Sequence, residues 1–320
     1  MQNILRKAAV GVAAAAAVAA AVMRIAFTPR MQEAGGPLYL SYVVIAMMAA
    51  AFVAVFVLVF LGRGRAPQVQ ELSPVSRLPL AVSLLLAGGF LAGTSAYDGW
   101  RWLVEQRTPP PNDRVISSLD AGTLFLTLAF GFLGGIFLLW LGVGLARGPV
   151  RRTARMALAA LAPVAWMWFR LVRYELSYAS AVRVSQSFYD FVMLIFTLLF
   201  LFSFARYISG TGERKPPEKS GRMLLVYALC AAVMSLSGPV TAFAMAVSGQ
   251  TAAFNACRMA GLTDFGMGIL ALSTALTLAF AHPVPAAEVP PEEAAAMNAP
   301  AQAVPTAEDI LREMRGDPRD

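Results

Sequence analysis

Four ionisable residues lie close together where two long apolar stretches of the sequence meet. Arg170, Arg173 and Glu175 end one stretch, and Asp190 begins the next. Arg170 and Arg173 share one helical face, and the connecting loop is short enough for either arginine to reach Asp190. An ionisable group at membrane depth costs about 2.5–3.5 kcal/mol on insertion scales and marks a site by default. The pattern predicts a polar pocket or a proton-linked pair; an interfacial salt bridge with snorkelling arginines is the alternative.

A second candidate lies deep in another apolar stretch, at Ser237, Gly238, Pro239 and Thr241. Proline removes a helical hydrogen bond and glycine loosens the backbone, so this segment predicts a broken helix. Its freed carbonyls and nearby hydroxyls would then line a substrate or ion site. The alternative is a single kink, which a membrane helix tolerates when neighbouring groups satisfy the backbone. One further acid, Asp264, begins the last stretch and is expected to lie at the interface.

The third candidate is the end of the chain, where Ile310, Leu311 and Met314 form a small apolar stripe. A capping-box-like start at Thr306 precedes it. We expect a short helix that docks on a cytoplasmic protein partner or folds back onto basic loops. A solvated tail is the alternative.

Other reactive residues are scarce. The chain has one histidine, His282, and two cysteines, Cys230 and Cys257, which fall at different depths. No zinc-binding H-E-x-x-H, phosphate-binding loop or G-x-S-x-G nucleophile turn is present. We therefore expect no metal site, no cofactor, no disulfide and no enzymatic activity.

The elements that must position these residues are long apolar segments. Apolar residues make up 58% of the 320-residue chain and charged residues 14%, whereas soluble domains carry about 25% charge. A bilayer-spanning helix needs about 17–25 apolar residues, and its backbone must be paired internally. The sequence predicts an all-α polytopic membrane bundle with eight spans: Ala8–Met23, Leu38–Leu61, Leu80–Ala96, Thr123–Ala146, Met156–Val172, Phe188–Ala205, Met223–Val247 and Leu262–Ala281.

Basic residues set the predicted orientation. With the N-terminus inside, 17 of the 26 lysines and arginines fall in cytoplasmic segments. Both termini are therefore predicted to be cytoplasmic. The net charge of +7 lies on faces that meet anionic lipid, so we expect the lipid bilayer and not nucleic acid as partner. Arginine outnumbers lysine 23 to 3 and alanine is abundant, which suggests a GC-rich bacterial genome. We therefore expect a multi-pass protein of the bacterial cytoplasmic membrane.

Two features of the spans leave alternatives open. The first span follows Arg6 and Lys7 and is alanine-rich, so it is either a retained anchor or a cleaved signal peptide, which would leave seven helices. Glycines four residues apart, at Gly89 and Gly93 and at Gly131 and Gly135, predict close helix packing within one subunit, or else a dimerisation or gating interface.

These features predict a bundle over residues 1–282 and a cytoplasmic tail rich in proline, alanine and glutamate over residues 283–320. A transporter or permease-like component is the favoured function. A membrane sensor or scaffold that presents the tail helix is the alternative, and an intramembrane enzyme is the third class. Substrate, energy source and oligomeric state stay open.

Overall fold

The computed structural model describes residues 2–32, 39–62, 73–107, 118–148, 153–176, 184–209, 217–249 and 261–280. The helices in these ranges are α1 Gln2–Gln32, α2 Tyr39–Leu61, α3 Pro74–Arg107, α4 Ser118–Arg147, α5 Ala154–Ala159, α6 Leu161–Leu176, α7 Val184–Ser209, α8 Pro217–Val247 and α9 Leu262–Phe280. Within the described part, eight helical segments are long and apolar enough to cross a membrane. The predicted all-α polytopic bundle is confirmed.

Helices α5 and α6 together form one span, Arg155–Glu175. Thr153 begins this span as an N-cap, because its side-chain oxygen accepts a hydrogen bond from the Met156 amide. The helix is interrupted at Ala160, three residues before Pro163. Proline has no N–H to donate to the carbonyl four residues earlier, which accounts for an interruption at this point.

Six helices form a closed ring in which each packs on the next, in the order α3, α4, α6, α7, α8, α9 and back to α3. Helix α1 packs outside this ring on α8 and α9, and α2 packs on α1 and α8. Helices α8 and α9 are consequently the most buried of the spans. The ring matters for function because it places polar groups from several helices around a common interior.

The bundle has two ends that differ in charge. Lys7 at the start of α1 lies 5.4 Å from the ring centroid of Phe280 at the end of α9, so the first and last helices meet at one end. Arg6 lies there as well, against Gly62 at the end of α2. We call this the basic end, and the opposite end the ion-pair end. Assignment of the basic end to the cytoplasm stays a prediction.

Helices α3 and α4 approach closely through glycine, although not through every glycine that the sequence indicated. A Cβ on Gly135 would lie 2.5 Å from the Ala92 amide nitrogen, and one on Gly88 would lie 2.8 Å from the Gly135 carbonyl oxygen. The same construction at Gly89 and Gly93 meets nothing within 4 Å among the described residues. Packing is therefore confirmed for the α4 stripe, whereas the α3 contact runs through Gly88.

Candidate functional site

A buried ion pair joins α6 to α9 at the ion-pair end. The two terminal guanidinium nitrogens of Arg170 donate to the two carboxylate oxygens of Asp264, at 2.5 and 2.8 Å. The side chains are only 17% and 3% exposed. Such a forked arrangement is the strongest form of side-chain hydrogen bonding between these residue types.

Each partner of this pair is held by its own helix. The Arg170 guanidinium lies 5.4 Å from the ring centroid of Trp166, which is one helical turn earlier on α6. Asp264 lies in the first turn of α9, where the helix dipole favours a negative charge. Its carboxylate also accepts a hydrogen bond from the Gly261 amide at 3.4 Å. Both charges are thus oriented before any ligand binds.

The pair crosses the interior of the ring. Helices α6 and α9 are not ring neighbours and share no extensive packing in the described residues. The long arginine side chain therefore spans the distance that separates them. Beside it, the hydroxyls of Thr94 on α3 and Thr263 on α9 are hydrogen-bonded at 2.8 Å. At least three helices, α3, α6 and α9, therefore contribute polar side chains to the interior at this end.

A second carboxylate stands next to the pair. Asp190 on α7 lies within electrostatic range of Arg170, Asp264 and Arg24. None of the hydrogen bonds or ion pairs found among the described residues involves its carboxylate. The Arg24 guanidinium, from α1, lies 5.1 Å from the ring centroid of Tyr189, which precedes Asp190. Two arginines and two aspartates from four helices thus surround one region.

No family model matches this chain, and no curated protein or solved structure is detectably similar to it. Its functional interpretation therefore rests on the geometry of this site.

The structure changes the predicted pairing. Arg170 was expected to pair with Asp190, and it pairs instead with Asp264, whose side chain is buried in the bundle. The expectation that Asp264 lies at the membrane interface stays a prediction. Arg173 and Glu175, which lie nearer the end of α6, are exposed and take no part in the pair. Arg24 was absent from the predicted site; an arginine near the end of an otherwise apolar span was the signal that could have found it.

The predicted break in the seventh span is absent. Helix α8 is continuous from Pro217 to Val247 across Gly238 and Pro239. The buried hydroxyls of Ser237 and Thr241 donate to the backbone oxygens of Met234 and Ser237, at 3.1 and 2.7 Å. These hydroxyls are engaged within their own helix, as is common for Ser and Thr in membrane helices. A binding role for this segment stays a prediction.

The remaining predictions concern the tail, the histidine and cysteines, and metal binding. The tail stripe of Ile310, Leu311 and Met314 lies outside the described residues, as do His282 and Cys257. Cys230 is buried in α8 as a free thiol. In the described part of the chain, no group of three or more histidine, cysteine or acidic side chains could hold a metal ion.

Proposed function

We propose that this protein is a membrane transporter or permease component whose substrate or coupling ion enters the polar interior at the ion-pair end. The observation that carries the proposal is the Arg170–Asp264 pair, which bridges non-neighbouring helices. Beside it lies a second carboxylate, Asp190, which makes no hydrogen bond or ion pair with the described residues. Charges inside a bilayer are expensive, and they mark substrate or proton pathways in many transporters. We place the protein in the cytoplasmic membrane of a bacterium, as its arginine-rich composition indicates.

The proposed cycle uses competition between two carboxylates for one guanidinium. Arg170 is bonded to Asp264 in the described state, and Asp190 also lies within its electrostatic range. A proton or cationic group that neutralises Asp264 weakens the present pair and shifts Arg170 toward Asp190. Because the two carboxylates are on α9 and α7, this exchange changes which helices are tied to α6. Such two-state exchange between fixed elements is the general physical basis of coupling.

A cysteine-accessibility experiment tests the proposal without a known substrate. Single cysteines replace Ser95 or Ser83, which are buried toward opposite ends of α3, in a chain whose native cysteines are serine. A charged, membrane-impermeant thiosulfonate reagent is added to one side of oriented vesicles at a time. A transporter predicts modification of Ser95→Cys from the ion-pair side and of Ser83→Cys from the basic side, since each conformation opens one half of the bundle.

The matched controls are Gly93→Cys and Val82→Cys, at nearly the same depths on the open face of α3. Both positions are exposed on the surface of the bundle. If that surface meets lipid, the charged reagent does not partition there and the two cysteines stay unmodified. Modification of Ser95→Cys alone would indicate a receptor pocket open to one side. If neither Ser95→Cys nor Ser83→Cys reacts, water does not reach the interior of the bundle from either side. That result contradicts transport.

A further inference from the structure

Two buried polar side chains meet at Gly131 on α4, from the two helices that pack on either side of it. Ser95 lies on α3 and is 7% exposed, and Trp166 lies on α6 and is 4% exposed. A Cβ built on Gly131 would overlap Ser95 Oγ and would lie 3.2 Å from Trp166 Nε1. Because glycine has no side chain, the hydroxyl and the indole N–H both approach this one point. We call it the Gly131 notch.

Neither polar group at the notch has a hydrogen-bond partner in the part of the chain that the structure describes. Ser83 on the same helix differs, since its buried hydroxyl donates to the Leu80 carbonyl at 2.8 Å. Thr127 on α4 likewise donates to the Thr123 carbonyl at 2.7 Å. Serine and threonine in membrane helices commonly form such local bonds. Buried polar groups are nearly always hydrogen-bonded, so these two donors are available to a ligand.

The chemistry of the notch favours an acceptor that carries negative charge. An indole N–H can only donate, and a serine hydroxyl donates as readily as it accepts. A cation is close by, because the Arg170 guanidinium lies 5.4 Å from the centroid of the Trp166 ring. Hydrogen bonds to a charged acceptor are about twice as strong as those between neutral groups. A carboxylate fits these conditions, since its two oxygens can accept from both donors at once.

We propose that the Trp166 indole N–H and the Ser95 hydroxyl bind the carboxylate of a small organic anion at the Gly131 notch. Asp264 already engages both terminal nitrogens of Arg170, so the notch supplies the direct contacts and the arginine adds only longer-range attraction. The bound anion is the substrate of the transporter proposed above, and its role as substrate rests on that proposed function. Its binding depends on the notch alone.

Tryptophan fluorescence of the full-length, detergent-purified protein tests the binding. Phenylalanine replaces the other four tryptophans, Trp100, Trp102, Trp140 and Trp168, so that Trp166 alone emits. The probes are sodium acetate, succinate and benzoate, each compared with its neutral amide and with sodium chloride at equal concentration. At least one carboxylate should shift the emission in a saturable way, and its amide should bind about tenfold more weakly or worse. Equal binding of the amides, or no saturable shift with any carboxylate, would overturn the proposal.

A serine pair on α3 supplies the matched variants. Ser95→Ala removes a hydrogen bond to a charged group and should weaken carboxylate binding about tenfold. Ser83→Ala removes a buried hydroxyl that its own helix already engages, so its affinity should equal that of the parent chain. Unchanged affinity in Ser95→Ala, or equal losses in the two variants, would contradict a direct contact at the notch.

A second measurement covers the case in which the chain with a single tryptophan does not fold. Trp166→Phe, in the otherwise native chain, keeps an aromatic ring but loses the N–H donor. The most effective carboxylate should raise the melting temperature of the wild type and have a smaller effect on this variant. Equal stabilisation of both chains would overturn the proposal.

Failure of this site and failure of transport give different results. Carboxylate binding, with cysteine labelling of the interior from one side only, would support the notch and contradict transport. Labelling of Ser95→Cys and Ser83→Cys from their two opposite sides, without carboxylate binding, would overturn the notch and leave transport standing.

Discussion

Arg170 and Asp264 are 94 positions apart in the sequence, and their side chains meet in two parallel hydrogen bonds inside the bundle. Removing one member leaves the other as an uncompensated buried charge, which typically costs about 3–5 kcal/mol. We therefore expect Asp264→Leu to lower the free energy of unfolding by about this amount. The measurement is unfolding of the detergent-solubilised protein in increasing dodecyl sulfate.

The double variant Arg170→Leu/Asp264→Leu should be more stable than Asp264→Leu alone, since no buried charge remains. Arg173→Leu, on an exposed face of the same helix, is the matched control and should unfold like the wild type. If the double variant were no more stable than Asp264→Leu, an uncompensated charge on Arg170 would not be the cause of the destabilisation.

Substitution of Asp190 should change the free energy of unfolding less than substitution of Asp264. Its carboxylate makes no hydrogen bond or ion pair among the described residues, so Asp190→Asn removes no direct contact that the structure describes. We expect the unfolding free energy to change by less than about 1 kcal/mol. Destabilisation as large as that of Asp264→Asn would assign Asp190 a structural role. The comparison uses the same dodecyl sulfate titration for both asparagine variants.

The glycines of α3 and α4 give a sharp packing test. Gly135→Ala places a methyl group against the Ala92 backbone, and overpacking of this kind costs about 1–3 kcal/mol. Gly89→Ala and Gly93→Ala add the same methyl group where a Cβ meets nothing within 4 Å. At these positions the higher helix propensity of alanine should stabilise the fold by up to about 1 kcal/mol. Thermal unfolding should separate the first variant from the other two. Similar destabilisation of Gly89→Ala would indicate that a second chain covers the open face of α3.

The hydroxyls of Thr197 on α7 and Ser235 on α8 lie 3.2 Å apart in the buried core. Interhelical hydrogen bonds in membrane proteins contribute about 0.6 kcal/mol on average. A double-mutant cycle with Thr197→Val and Ser235→Ala should therefore give a coupling free energy of about this size. A coupling near zero would mean that each hydroxyl is satisfied by its own helix. Thr197 already donates to the Met193 carbonyl at 2.8 Å, which makes the cycle informative.

The predicted orientation can be measured at two helix ends. Gly148 follows α4 at the basic end, and Ser248 follows α8 at the opposite end. In a chain whose native cysteines are serine, an impermeant maleimide should label Ser248→Cys in intact cells and Gly148→Cys only after permeabilisation. The reverse pattern would invert the assignment of the basic end to the cytoplasm.

Much of the fold follows from local sequence. The eight spans are predictable because a bilayer imposes a minimum apolar length and requires the backbone to pair within each segment. The interruption at Ala160 follows from Pro163 for an equally local reason. In contrast, α8 is continuous across Gly238 and Pro239. A membrane helix tolerates a single proline where neighbouring groups satisfy the backbone, so this local signal did not decide the outcome.

The sequence by itself determined that apolar helices cross the bilayer repeatedly, and it identified Arg170 and Asp190 as charges that need an explanation. Only the tertiary structure decided that Arg170 pairs with Asp264 and that Arg24 approaches the same region. The reason is geometric: helical periodicity states which residues share a face, but not which helices become neighbours. That choice depends on the packing of the whole ring, where a shift of one residue, as from Gly89 to Gly88, turns a helix position from open space to close contact with α4.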